Sequence, residues 1–109
     1  MCVTAIECAG CARFKFGLIK KTGLTMPRYT TTTEAKAREY HVATGIAPDL
    51  LGAAKLSVRN MLDLLTKKYG LKREDAYILC SVAADLRVHE VVDAPNWVVG
   101  TMIPTDIFP

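Results

Sequence analysis

The stretch PDLLGAAKLSVRNMLDLLTKKYGL, residues 48–71, decides the fold. Leu51, Ala54, Val58, Met61, Leu65 and Tyr69 recur at intervals of three and four residues, so they share one face of a helix, while Lys55, Arg59, Asp63 and Lys67 line a polar face. Asp49 brings a short carboxylate that can accept from the unpaired N–H groups of the first turn. Gly70 can take the left-handed backbone that closes a last turn. The spacing predicts a helix that starts at Pro48 or Asp49 and ends at Tyr69.

Downstream, a second helix is predicted over residues 73–86, with Ala76, Leu79, Ala83 and Leu86 turned to a core. Lys72 precedes it and offers no oxygen to cap the first turn, which weakens that end. Residues 88–92 and 97–103 read as strands joined by Asp93, Ala94, Pro95 and Asn96, where Pro and Asn favour a turn. Upstream, Cys2, Thr4, Ile6 and Cys8 alternate with Val3, Ala5 and Glu7 as in a strand. After a turn at Ala9 and Gly10, Phe14, Phe16 and Leu18 alternate with Arg13 and Lys15, predicting a second strand over residues 12–18 that pairs back as a hairpin. Thr22, Gly23 and Pro27 interrupt the pattern. A third strand is expected over residues 28–33, a polar loop over 34–38 and a short strand over 40–44. Strands, two helices joined by a short loop, then strands argue for one α+β domain over residues 1–109: a small mixed or antiparallel sheet covered by an antiparallel pair of helices.

Composition narrows the function classes. With 109 residues, 50% hydrophobic and 23% charged, the chain can bury one core. No apolar run approaches the ~20 residues of a membrane helix, and the start has no basic segment followed by an apolar one, so a cytoplasmic protein is expected. The net charge is +3, and the basic residues, such as Arg13, Lys15, Lys20 and Lys21 or Lys67, Lys68, Lys72 and Arg73, form no dense stripe with stacking aromatics. They read as solvated faces, not as a nucleic-acid surface. The four cysteines are expected as reduced thiols, because this much apolar content needs no disulfide staples.

Few side chains stand out for chemistry. Ser57 and Ser81 are the only serines, both inside predicted helices and neither in a nucleophile elbow, so they read as structural. Cys80 lies in the apolar run Ile78, Leu79, Cys80, Ser81, Val82, and core packing is its expected role. Cys8 and Cys11, two residues apart across a Gly-containing turn, have the spacing of half a zinc site, but no second paired spacing supplies the other half. A small zinc-binding module built on Cys8 and Cys11 is one alternative reading. His41 and His89 fall in short strands, where hydrogen-bonded or surface histidine is the expected state.

The run DAYILCSVAADLRVHEVVDAPNWVVGTMIPTDIF, residues 75–108, resembles the C-terminal end of the acetamidase/formamidase family, amidohydrolases that split short linear amides into a carboxylate and ammonia. The likeness rests on the joint order of Asp85, Leu86 and Arg87 with Val91, Val92, Asp93, Pro95 and Asn96. It extends back through residues 48–71 and, more loosely, to residues 2–7. Full-length members are roughly two to three times longer. They carry upstream a motif like His-Phe-Gly-Gly-Asn-Met-Asp and a run like Asp-x-His-Ala-x-x-Gly-Asp-Gly-Glu, neither of which is in this chain. The resemblance therefore implies a C-terminal portion, inactive alone, whose partner is the N-terminal part of the same enzyme. It further implies a homo-oligomer, a small amide substrate, and a divalent metal such as zinc in the complete site. Glu7, Asp93 and Asn96 are the pocket candidates it points to. A separately encoded, non-catalytic subunit that keeps the fold is the other alternative.

Overall fold

The computed structural model describes residues 8–31 and 38–109. It contains β1 (Arg28–Thr30), β2 (Tyr40–Ala47), α1 (Leu50–Tyr69), α2 (Arg73–Ala83), β3 (Asp85–Glu90), β4 (Trp97–Pro104) and a 3-10 turn, Thr105–Ile107. The strands form one sheet in the order β1-β2-β4-β3, with every neighbouring pair antiparallel. The α+β expectation therefore holds, and the sheet is antiparallel throughout, not mixed.

The first helix ends where local chemistry places its ends. Asp49 accepts a 2.7 Å hydrogen bond from the Gly52 N–H, and Gly70, at φ 67°, sends its own N–H back to the Thr66 carbonyl. What the helix buries is less expected. Met61 and Leu65 are fully buried, but Leu51 is 63% exposed, and Ala53 and Ser57 are buried in its place. The reason is Gly45 in β2. A β-carbon there would overlap the Ala53 carbonyl oxygen and the Ser57 amide nitrogen, so the backbones of α1 and β2 touch at this point. Only the small side of the helix can face the sheet at such a distance. Ala53 packs with Ala47 and Val99 at one end, while Met61, Leu62, Leu64 and Leu65 pack with Ala43, Ile103, Ala76 and Cys80 at the other. Between the two clusters the Ser57 and Thr101 hydroxyls pair at 2.8 Å. Asn60 adds a 2.8 Å bond from Nδ2 to the Thr44 carbonyl.

Several expectations need correction. The second helix stops at Ala83, because Ala84 is extended and Leu86 pairs with Thr101 in β3, where it is 56% exposed. Asp85 and Arg87 thus lie on a strand; they pair at 3.7 Å, both exposed, a contact worth at most about 1 kcal/mol. As expected, α2 has no side-chain cap at Lys72. An exposed Arg73–Asp63 pair at 2.6 Å ties its first residue to α1. β3 starts earlier than residue 88 and ends before Val91, with an irregular register between Val88 and Glu90. β2 runs on to Ala47, since Gly45, Ile46 and Ala47 keep pairing with β4. Residues 12–18 form no strand: Phe14, Phe16, Leu18 and Ile19 are all exposed. An alternating pattern becomes a strand only where a neighbour completes its ladder, and no described residues do so. The expected strand over residues 2–8, apart from Cys8, lies outside the described residues. So do residues 32 and 33 of the third strand and residues 34–37 of the polar loop.

Gly45→Ala is expected to cost about 3 kcal/mol or more, because the obstacle is backbone that cannot rotate away. Gly70→Ala, at a left-handed position with open space around it, is expected to cost about 1–2 kcal/mol. Urea denaturation of both variants checks the ranking, and equal losses would contradict it.

Candidate functional site

The turn between β3 and β4 carries two of the pocket candidates. The Asn96 N–H donates to the Asp93 carbonyl at 3.1 Å, and the intervening Ala94–Pro95 bond is cis. Asp93 and Asn96 are both exposed, so the turn presents them without burying them. The structure adds a neighbour that sequence reasoning missed. Glu90, the last residue of β3, has its carboxyl pushed above the usual range, first by a hydrogen bond with Asp93, then by desolvation, then by repulsion from the Asp93 charge. A carboxyl held above its usual range keeps its proton to a higher pH, and proton transfer is one component of amide hydrolysis. The only signal in the sequence was two acids three residues apart across a turn. Glu7, the third candidate, lies outside the described residues.

Other nucleophiles and ligands have structural surroundings. Cys80 is buried in the main core, and desolvation pushes its thiol up, away from the reactive thiolate. Ser57 is fully buried between the Ala54 carbonyl and Thr101. Ser81 is exposed and donates back to the Tyr77 carbonyl at 3.0 Å. The His89 ring covers Gly100, where a β-carbon would overlap it. Cys8 and Cys11 are free and exposed. Among the described residues, no group of three or more His, Cys, Asp or Glu side chains is placed to hold a metal ion, so the described residues do not fit the implied divalent metal.

Among the described residues His41 is a buried polar side chain with several partners, only 3% exposed. Its Nδ1 lies 2.9 Å from Thr30 Oγ1, and its Nε2 lies 2.9 Å from Lys68 Nζ and 2.6 Å from the Tyr69 hydroxyl. An ammonium has only protons to give, so Nε2 accepts and the ring proton sits on Nδ1, donating to Thr30. Phe108 stacks on Tyr69 at 4.0 Å and closes the cluster. Burial, then the Lys68 charge, holds the imidazole below its ordinary value of 6.5, with Glu39 opposing. The hydrogen-bonded histidine expected from the sequence is thus present; its partners, from β1 and the end of α1, were not foreseeable.

The sign follows from linkage. Below about pH 6.5 the unfolded chain takes up a proton that folded His41 refuses, so stability falls as pH drops through that value. Chemical denaturation at stepped pH should show this loss, and His41→Gln should flatten it. An NMR titration placing the His41 midpoint above its ordinary value would contradict the assignment.

Comparison with known proteins sets these features in context. No curated protein sequence matches. Solved structures that resemble the chain include two acetamidases. Acetamidase from Bacillus halodurans has 26% sequence identity and a TM-score of 0.58 over 62% of this chain and 23% of its own. Acetamidase from Yersinia enterocolitica has 27% identity and a TM-score of 0.59 over 64% of this chain and 22% of its own. The chain thus spans less than a quarter of the length of either. The model of the Acetamidase/Formamidase family matches residues 1–109. With that match over its whole length, the chain belongs to the acetamidase/formamidase family.

Proposed function

We propose that this chain forms the C-terminal portion of a cytoplasmic amidohydrolase that splits short linear amides into a carboxylate and ammonia. The observation that carries the reading is the family match over residues 1–109, taken with the chain's span of only 22–23% of the solved acetamidases. In this reading the divalent metal, such as zinc, and its ligands belong to the upstream part. The chain contributes a wall of the pocket and a surface for assembly, and alone it is inactive.

Two features support that division. The outer side of α2 leaves Tyr77, Ile78 and Val82 exposed, next to a mainly apolar groove of about 460 Å³ lined by Leu51, Val58, Leu62 and Leu86 among others. Apolar surface of this kind calls for a covering partner, and the upstream part of the enzyme, or another copy in a homo-oligomer, supplies it. The second feature is the group at the end of the β3–β4 hairpin, where Asp93 and Asn96 are exposed beside half-buried Glu90. There it can meet residues supplied from outside this chain. Asp93 and Asn96 then help to orient the amide at the rim of the pocket.

The test is ammonia release from formamide and acetamide with added zinc. The chain alone should release nothing above buffer, and co-expression with an upstream polypeptide carrying the two family motifs should restore turnover. Asp93→Asn should then lower kcat/KM by roughly tenfold or more while the two parts still co-purify. Ile78→Glu should abolish co-purification. Turnover by the chain alone would overturn the reading, as would co-purification without any turnover.

A further inference from the structure

A cavity of about 350 Å³ lies between β1 and the last turns of α1, on the sheet face that the helix covers. Arg28 pairs with Ala43 and Thr30 with His41, so the two β1 residues stand on the same side of that edge strand. Lys67 and Lys68 reach the cavity from the helix, and Leu64 and Tyr29 complete its wall. Three cationic residues therefore line one concavity; no carboxylate lines it, and Asp63, which borders the adjoining pocket with Arg28 and Lys67, is paired with Arg73. The ion pairs of the described residues, Arg38–Asp106, Arg73–Asp63 and Arg87–Asp85, involve none of them. Glu39 influences His41 by its charge but is not part of the wall.

We propose that this cavity binds a small oxyanion, the phosphate or carboxylate group of a ligand, held by Arg28, Lys67 and Lys68. The donors have capacity to spare. Lys67 gives one bond, at 3.3 Å, to the Thr22 carbonyl, and Lys68 gives one to His41 Nε2, which leaves each ammonium two further protons. Arg28 adds the planar fork suited to two-point recognition of an oxyanion. The carbonyl end of α1 works against an anion, since it carries roughly half a negative charge. Three full positive charges outweigh it. The size is at the small end of ligand cavities and is ample for a phosphate or carboxylate group with water. None of these residues belongs to the β3–β4 turn, so the site stands independently of the amidase reading.

The experiment titrates the 109-residue chain with sodium phosphate and, separately, with sodium acetate, each against sodium chloride at matched ionic strength. Amide and imidazole NMR signals of Thr30, His41 and Lys68 report binding. Saturable shifts with phosphate or acetate, absent with chloride, are expected, and the tighter of the two identifies the class of ligand. A bound anion should also raise the titration midpoint of His41. Arg28→Met and Lys67→Gln should each weaken binding by about tenfold, while Lys55→Gln, elsewhere on α1, should not. Amide spectra of the anion-free variants establish that each is folded. Shifts that never saturate, that chloride reproduces, or that survive both Arg28→Met and Lys67→Gln would overturn the proposal.

Discussion

The close approach of α1 to β2 at Gly45 is the constraint on which the rest of the structure depends. With no β-carbon at that position, the Ala53 carbonyl and the Ser57 amide lie against the strand. The helix must then turn its small residues inward at its first half and its large ones, Met61 and Leu65, at its second. The wedge this creates determines where α2 can sit. Its Ala76 and Cys80 pack only over the wide end, together with Ala43 and Ile103. It also leaves room for a fully buried pair of hydroxyls between helix and sheet. Between the small apolar cluster of Ala53, Ala47 and Val99 and the larger one, two short hydroxyls, Ser57 and Thr101, satisfy one another.

The same constraint separates what could be read in the sequence from what could not. The limits of α1 were legible because Asp49 and Gly70 act within one turn of the helix they close. Its buried stripe was displaced because Gly45, a residue of another element, decides which side faces inward. The end of α2 was misplaced for a similar reason: Leu86 fits a helical spacing, but its pairing with Thr101 is stronger evidence of place than its period. Residues 12–18 alternate as a strand does, yet alternation describes only one member of a ladder. The polar groups follow the same division. Asp93 and Asn96 were legible as turn formers, whereas the meeting of Thr30, His41, Lys68 and Tyr69 depends on how separate segments come together.

Membership of the acetamidase/formamidase family, with a match that covers less than a quarter of either acetamidase, places an unusual demand on so small a unit. Its core is internally complete: no buried side-chain nitrogen or oxygen among the described residues lacks a partner. Its surface is not, since Tyr77, Ile78, Val82 and Leu86 remain open to water on one side. A unit with a satisfied core and an open apolar side can keep its fold while its stability and solubility depend on what covers that side.

The order of the strands has a consequence for synthesis. β2 and β4 form the middle of the sheet, and β3 is joined to it only through β4. Both helices intervene in the chain between β2 and β4. As the polypeptide leaves the ribosome, α1 and α2 can form from contacts close in sequence, but the sheet cannot close until Trp97–Pro104 has emerged. Until then the inner sides of the helices have no β4 to pack upon. The nascent chain must therefore carry its helices past the point of exit, unsupported by a finished sheet, until β4 has followed them.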